Sequence, residues 1–249
     1  MTVWPRGYGR RVLSEVDSTL SEAARIAPQL AGPEWILAHS QTQARGRRGR
    51  AWSMPAGNFA ATLVMKPAED PATAALRSFV MSLALFRALE VVIGDASRLS
   101  LKWPNDVLLD GGKVAGILLE SAGSARGLAY LSIGVGVNLA AAPGSDEVEE
   151  GAFRPVALGV QCAVHIEPEP FLEQLAFQYD MLEQQFTDYG FAPIRAGWLV
   201  HAVKLGETIT ARMMREEVTG VFEDVDHEGN LILRTAKGVR SITTADVFF

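Results

Sequence analysis

With 249 residues, 48% apolar and 21% charged, the chain is long enough for a sizeable core plus a small second domain, and its balance is that of an ordinary soluble globular protein. A net charge of -6 and a pI near 5.3 exclude general nucleic-acid binding, which needs a broad basic face. The single cysteine, Cys162, excludes an internal disulfide, the N-terminus lacks a signal-peptide apolar core, and no run approaches the roughly 20 apolar residues of a membrane span; a cytoplasmic protein without membrane contact is expected.

Residues 11–16 read as a strand. Asp17-Ser18-Thr19 follows, then a helix to about Ala27, with Ser18 or Thr19 as a natural N-cap and Glu22 in the first turn. Such a turn is either a plain cap or a place where hydroxyls and amides meet a small polar ligand. Residues 35–40 form an apolar strand that leads into QTQARGRRGRAW at 41–52. There Arg45, Arg47, Arg48 and Arg50 are spaced by Gly46 and Gly49 and closed by Trp52. Arginine forks fit carboxylates and phosphates, and glycine permits close approach. In an acidic chain one tight cluster of this kind reads as a local anion site, mobile when empty and ordered around its ligand.

Residues 59–65 are the next strand, after turn residues Pro55, Gly57 and Asn58. From Pro71 to about Ile93 the spacing of Leu76, Phe79, Val80, Leu83, Phe86 and Leu89 predicts one core helix. In Lys102-Trp103-Pro104-Asn105-Asp106, Pro104 marks a break between two short strands. Asp106, flanked by Val107-Leu108-Leu109, places a carboxylate near a core, where it suits Mg²⁺, a hydroxyl or an ammonium. Asp110-Gly111-Gly112 reverses the chain into a strand over 113–120. Residues 131–139 alternate: Leu131, Ile133, Val135, Val137 and Leu139 on one face, Ser132, Gly134, Gly136 and Asn138 on the other. The bare face at Gly134 and Gly136 admits either another packed element or a flat ligand with Asn138 at its edge.

Residues 140–155 read as a surface loop. Core helices are expected from Pro170 to about Phe186 and over 193–200. After Leu205 the pattern changes to short strands at 208–214, 218–226, 231–234 and 239–243, with a turn at 227–230, which suggests a small barrel. The four histidines show no metal-ligand spacing, and neither a P-loop nor a full GxGxxG motif appears.

RGRRGR at 45–50, KWPND at 102–106 some 50 residues later, the Lys113-x-x-Gly116 strand and GVGVN at 134–138 together resemble the catalytic core of the biotin–protein ligase (biotin–[acetyl-CoA-carboxylase] ligase) family over nearly the whole chain. The resemblance implies an α+β fold, a class II synthetase-like biotin/lipoate ligase core with a central mixed sheet flanked by helices over 1–204, and an SH3-like barrel over 205–249. It implies ATP-dependent activation of biotin to biotinyl-5'-AMP, with Mg²⁺, and transfer to a lysine of a biotin carboxyl carrier domain. Arg47 and Lys113 match the family's catalytic positions. Ser18, Thr19, Leu20, Gln41, Arg45, Gly46, Gly116 and Gly134 match positions around biotin. Trp52, Asn105, Asp106 and Asn138 match the nucleotide region, with Asp106 the candidate metal ligand. Leu20 stands where Asn is usual, and Gln43-Ala44 where Ala-Gly is usual. About ten residues precede the first strand, so no DNA-binding domain and no repressor function are expected; a homodimer is compatible with the resemblance. The rivals are a lipoate or octanoate ligase on the same fold, an inactive relative, and a non-enzymatic nucleic-acid binder.

Overall fold

Period-two alternation sorts the strands of the N-terminal part onto two faces of one sheet. In a computed structural model that describes residues 3–124, 127–144 and 153–249, these strands are β1 (Gly9–Val16), β2 (Glu34–Gln41), β3 (Phe59–Met65), β4 (Leu99–Lys102), β5 (Asp106–Leu109), β6 (Gly112–Ser124) and β7 (Gly127–Val137). Their order is β1-β2-β3-β7-β6-β5-β4. Only β1 and β2 run parallel; the other neighbours are antiparallel.

The helices are α1 (Thr19–Ile26), α2 (Pro71–Ala75), α3 (Arg77–Ile93), α4 (Leu158–Cys162), α5 (Pro168–Tyr189) and α6 (Phe191–Val200). Trp35, Leu37, Leu63, Ile133 and Val137 point to one face and are buried with Phe79, Leu83, Phe171, Tyr179 and Trp198 of α3, α5 and α6. Ile36 and Val64 point the other way, into a small cluster with Ala23 and Ala27 at α1. That face is therefore covered by one short helix. That helix packs over β2, β3 and β7, with Leu20 lying on Gly134, and the stretch at Gly136 and over β6 lies beyond it.

The helix expected over 71–93 is two helices that meet at Leu76, whose amide donates to Thr73 and Ala74 carbonyls in a tightened turn. Asp70 caps the first by accepting from the amides of Ala72 and Thr73. Of the loop expected over 140–155, residues 145–152 lie outside the described residues.

The C-terminal strands are β8 (Thr208–Arg212), β9 (Glu217–Val225), β10 (Leu231–Thr235), β11 (Gly238–Ile242) and β12 (Asp246–Phe248). They form an antiparallel sheet in the order β11-β10-β9-β8-β12, open between β11 and β12 rather than closed as a barrel. The two sheets are joined firmly. Trp103 Nε1 donates to Gly229 O at 3.0 Å, the Leu101 main chain donates to His201 O and accepts from Val203 N, and Arg195 binds Val225 O and Asp224. One hydrophobic core runs from Trp35 to Val247.

Candidate active site

A cavity of about 560 Å³ opens on the uncovered face of the large sheet and is closed on one side by β12. Four local features build it.

The turn between β1 and α1 forms one end. Asp17 accepts from the Ser18 amide and is gripped by Arg25 at 2.7 and 3.0 Å, which holds its carboxyl well below the usual carboxylate range. Ser18 takes the N-cap backbone conformation but makes no cap hydrogen bond, so its hydroxyl is left to the cavity. Thr62 Oγ1 donates to Thr19 Oγ1 at 2.8 Å, and Thr19 donates through its amide (2.8 Å) and hydroxyl (3.2 Å) to Gln41 Oε1. With that oxygen saturated, Gln41 faces the cavity through its Nε2, one of whose two donors reaches Met54 Sδ at 3.5 Å.

The floor is made by side chains lying on glycines. A Cβ at Gly134 would stand 2.9 Å from Leu20, and one at Gly136 would stand 2.6–2.8 Å from the Trp52 indole. Gly116, paired with Gly136, faces both Trp52 and Lys113 at 3.3 Å. The bare face is thus already occupied by the protein's own apolar groups, and a ligand would rest on those rather than on the sheet.

The cationic end is set by a bulge. Asp106 pairs with Gly116 and Val107 with Ala115, but Leu108 pairs with Lys113. The extra residue shifts the pleat, so Lys113, three residues before Gly116, points to the same face as it. Lys113 Nζ lies 2.7 Å from Asp106 Oδ1 and 5.7 Å from the Trp52 ring centroid. Lys102 Nζ lies 3.6 Å from Asp106 Oδ2 and 4.7 Å from the Phe153 ring centroid. Burial alone would raise the Asp106 pKa, but Lys113 and Lys102 outweigh it and hold the carboxyl below its ordinary value. Burial pulls the Lys102 ammonium down, against the attraction of Asp106.

The arginine loop forms the roof. Arg45 grips Glu120 on β6 two-pronged, both contacts 2.8 Å, and donates to Ser21 Oγ. Gly46 and Arg50, and Ala44 and Trp52, are joined by main-chain bonds. The tip turns through Arg48 and Gly49, at φ 58° and 74°; Gly49 is the position where glycine is needed, and Gly46, at φ -108°, is not. Arg48 and Arg50 reach Asp246 on β12 at 2.6 and 2.9 Å, and Arg47 lies 3.9 Å from it. Burial lowers the Arg47 pKa, opposed by Asp246 and Asp106, yet a guanidinium stays charged.

A model of the biotin/lipoate A/B protein ligase family matches residues 9–138, and a model of the biotin protein ligase C-terminal domain matches residues 204–249. The chain belongs to the biotin/lipoate A/B protein ligase family. It is 51% identical over 238 residues to a biotin–[acetyl-CoA-carboxylase] ligase of Paracoccus denitrificans, covering 96% of this chain and 99% of that one. It is 27% identical to the bifunctional ligase/repressor of Bacillus subtilis, covering 92% of this chain and 71% of the relative. In fold it is similar to the biotin protein ligase from Aquifex aeolicus in complex with biotin and ATP, with 24% identity, 96% and 98% coverage and a TM-score of 0.78.

Every residue the resemblance assigned to the site, from Ser18 to Asn138, lines this one cavity. Their surroundings differ in kind, however. Asn105 donates to Ile117 O, and Asn138 donates to Val156 O at 3.1 Å and lies 3.5 Å from Asn58 Nδ2, so both amides brace main chain at the cavity wall. Asp106, expected to hold Mg²⁺, is neutralised by two ammonium groups, and no cluster of three or more His, Cys, Asp or Glu suited to a metal occurs among the described residues. The residues present do not fit a metal held by the protein itself. Sequence reasoning assigned no role to Lys102, although it opens the quoted KWPND stretch, or to Arg212, Asp246 and Phe248, which reach the cavity from the C-terminal sheet. Nothing in the pattern of that sheet marks them, because only tertiary docking brings them to the site.

Proposed function

We propose that the chain is a biotin–protein ligase. It joins the biotin carboxylate to the α-phosphate of ATP with release of pyrophosphate, then passes the acyl group to a lysine amine of a biotin carboxyl carrier domain with release of AMP. The observation that carries this reading is the convergence of Lys113, Lys102 and Arg47 at one end of a cavity whose other end offers Ser18, Thr19 and Gln41. A carboxylate is a poor acylating agent, because oxide is a poor leaving group. Forming the acyl–phosphate bond and breaking the bond to pyrophosphate both gather negative charge, which preorganised cations stabilise. Lys113, set between Asp106 and the Trp52 ring, is placed to meet the carboxylate and the α-phosphate together. Arg47 meets the phosphates from above.

The remaining assignments follow the same chemistry. Trp52 offers a flat face to adenine, Leu20 an apolar floor to biotin, and Ser18, Thr19 and Gln41 polar partners to its ring. The roof keeps water from the adenylate. In the second step the acceptor amine attacks the carbonyl, AMP leaves and the amine loses a proton; no nucleophile of this chain is needed. Mg²⁺ enters as the companion of the ATP phosphates, its usual partners. Residues 1–204 form the catalytic part and 205–249 the C-terminal part of a cytoplasmic enzyme.

The test is ATP–pyrophosphate exchange with Mg²⁺, comparing biotin, lipoate and octanoate at equal concentration. Exchange driven by biotin alone is expected. Exchange driven by lipoate or octanoate would move the chain to the neighbouring ligase class, and none with any acid would overturn adenylation.

A further inference from the structure

Lys113 stands where β6 has run out of one partner. The pairing of β7 with β6 ends at Val137, opposite Ala115, so β7 does not extend to Lys113. A stretch of irregular chain takes its place. The Lys113 amide donates to Arg154 O at 2.8 Å, and the Val156 amide donates to Lys113 O at 3.0 Å. Lys113 and Pro155 lie side by side as in a parallel pair. Residues 154–156 belong to no strand, so their place against β6 depends on what holds them from behind.

The support runs back to Asn58. Asn138, one residue past β7, donates from its side chain to Val156 O at 3.1 Å, while its main chain donates to Val114 O and accepts from the Leu158 amide. Asn58, read from sequence as a turn residue, fixes the same corner from the other side. Its Oδ1 accepts from the amides of Ala140 and Ala141 at 2.9 and 3.1 Å. Its Nδ2 donates to Ala141 O at 2.7 Å and lies 3.5 Å from Asn138 Oδ1. Both lone pairs and both N–H groups of this side chain, which is 1% exposed, are thus engaged. Asp would lack the donors, and Gln would carry one methylene too many. Gly57, at φ 83°, permits the approach, since a Cβ there would stand 2.9 Å from the Ala140 methyl. Asn58 itself does not line the cavity. It acts on the site only through what it holds.

We propose that Asn58 is a positioning residue for Lys113, acting through residues 138–141 and 154–156. That Lys113 serves adenylation rests on the reading above; the path from Asn58 to the Lys113 main chain does not. Without the Asn58 amide, two buried N–H groups and a carbonyl lose their partner. The corner then relaxes, residues 154–156 part from β6, and the Lys113 ammonium loses its fixed place, which a preorganised charge needs.

The test uses the full-length protein carrying Asn58→Ala, Lys113→Ala or both. Without ligands, amide hydrogen exchange at Lys113 and Val156 is expected to be several-fold faster in Asn58→Ala than in wild type, with a smaller change along the β3–β7 ladder. In ATP–pyrophosphate exchange, Asn58→Ala is expected to lower kcat by about tenfold or more, with the KM for biotin little changed. In the Lys113→Ala background the same substitution should cost little more, whereas general loosening of the fold would lower both backgrounds by the same factor. Faster amide exchange confined to Ala140 and Ala141, or an equal loss of kcat in both backgrounds, would overturn the proposal. If Asn58→Ala fails to fold, Asn58→Ser, which leaves a smaller gap with a hydroxyl in it, carries both measurements. A wild-type protein that gives no pyrophosphate exchange would sink the adenylating reading alone, since ligand-free amide exchange still decides for or against the path from Asn58.

Discussion

Lys113 and Asp106 pair at 2.7 Å, yet losing one is not equivalent to losing the other. The Lys113 side chain reaches into the cavity and stays 29% exposed, so replacing it removes a cation from the site without opening the core. Lys113→Ala is expected to cut pyrophosphate exchange by about 10²-fold or more with circular dichroism unchanged; wild-type exchange in the variant would remove Lys113 from the chemistry. Asp106 is buried, and Asp106→Asn leaves Lys102 buried beside Phe153 without its counter-charge. That costs stability in a pH-dependent way. The folded-state pKa of Asp106 lies below its unfolded value near 3.9. Between the two the unfolded chain binds more protons, so the stabilisation is complete above about pH 4 and fades as pH falls through the folded value. Melting curves of wild type and Asp106→Asn should therefore converge on acidification; a gap that stays constant from pH 6 to the acid limit would deny the ion pair its role.

At the level of elements, two local devices carry the site, and each was legible only in part. The bare face at Gly134 and Gly136 could be read from the alternation of β7, but its occupants, Leu20 of α1 and Trp52 of the arginine loop, come from distant segments that no local pattern ranks. The Lys-x-x-Gly spacing could be read as a motif, but not why three residues should separate groups on one face of a strand; the bulge in β6 against β5 supplies the reason. The glycines make a direct prediction. A methyl group at Gly136 meets the Trp52 indole, a loop residue over the cavity, rather than the core. Gly136→Ala should leave the melting temperature within a few degrees of wild type and raise the KM for ATP several-fold. An unchanged KM would mean that the position of Trp52 does not matter for the nucleotide. The loop makes another: biotin plus ATP should slow tryptic cleavage within 45–50, and equal rates with and without ligands would rule out ordering by the adenylate.

Across the whole molecule, most strands and the change of pattern near Leu205 follow from periodicity and turn residues, whereas the central mixed sheet was legible only through the family resemblance and β12 was not legible at all. What periodicity could not supply is how the two sheets meet. A boundary near Leu205 suggests two independent units, but Trp103, Phe79 and Leu76 of the N-terminal part close around the β9–β10 turn at Gly229, where φ is 83°. Ile209, Phe222 and Leu231 share one core with them. Neither sheet can leave without exposing the other's apolar face, so unfolding should be a single event. Calorimetry, tryptophan fluorescence and circular dichroism should give one coincident transition. Trp103→Phe keeps most of the ring but strands the Gly229 carbonyl, at a cost of about 1 kcal/mol, or about 2–4 °C in Tm for a chain of this size. The shift should move the whole transition without splitting it. Two separated transitions in the wild type, or an early transition confined to the C-terminal strands in Trp103→Phe, would mean that the sheets are energetically independent, and the C-terminal wall of the cavity would then be free to part from the rest.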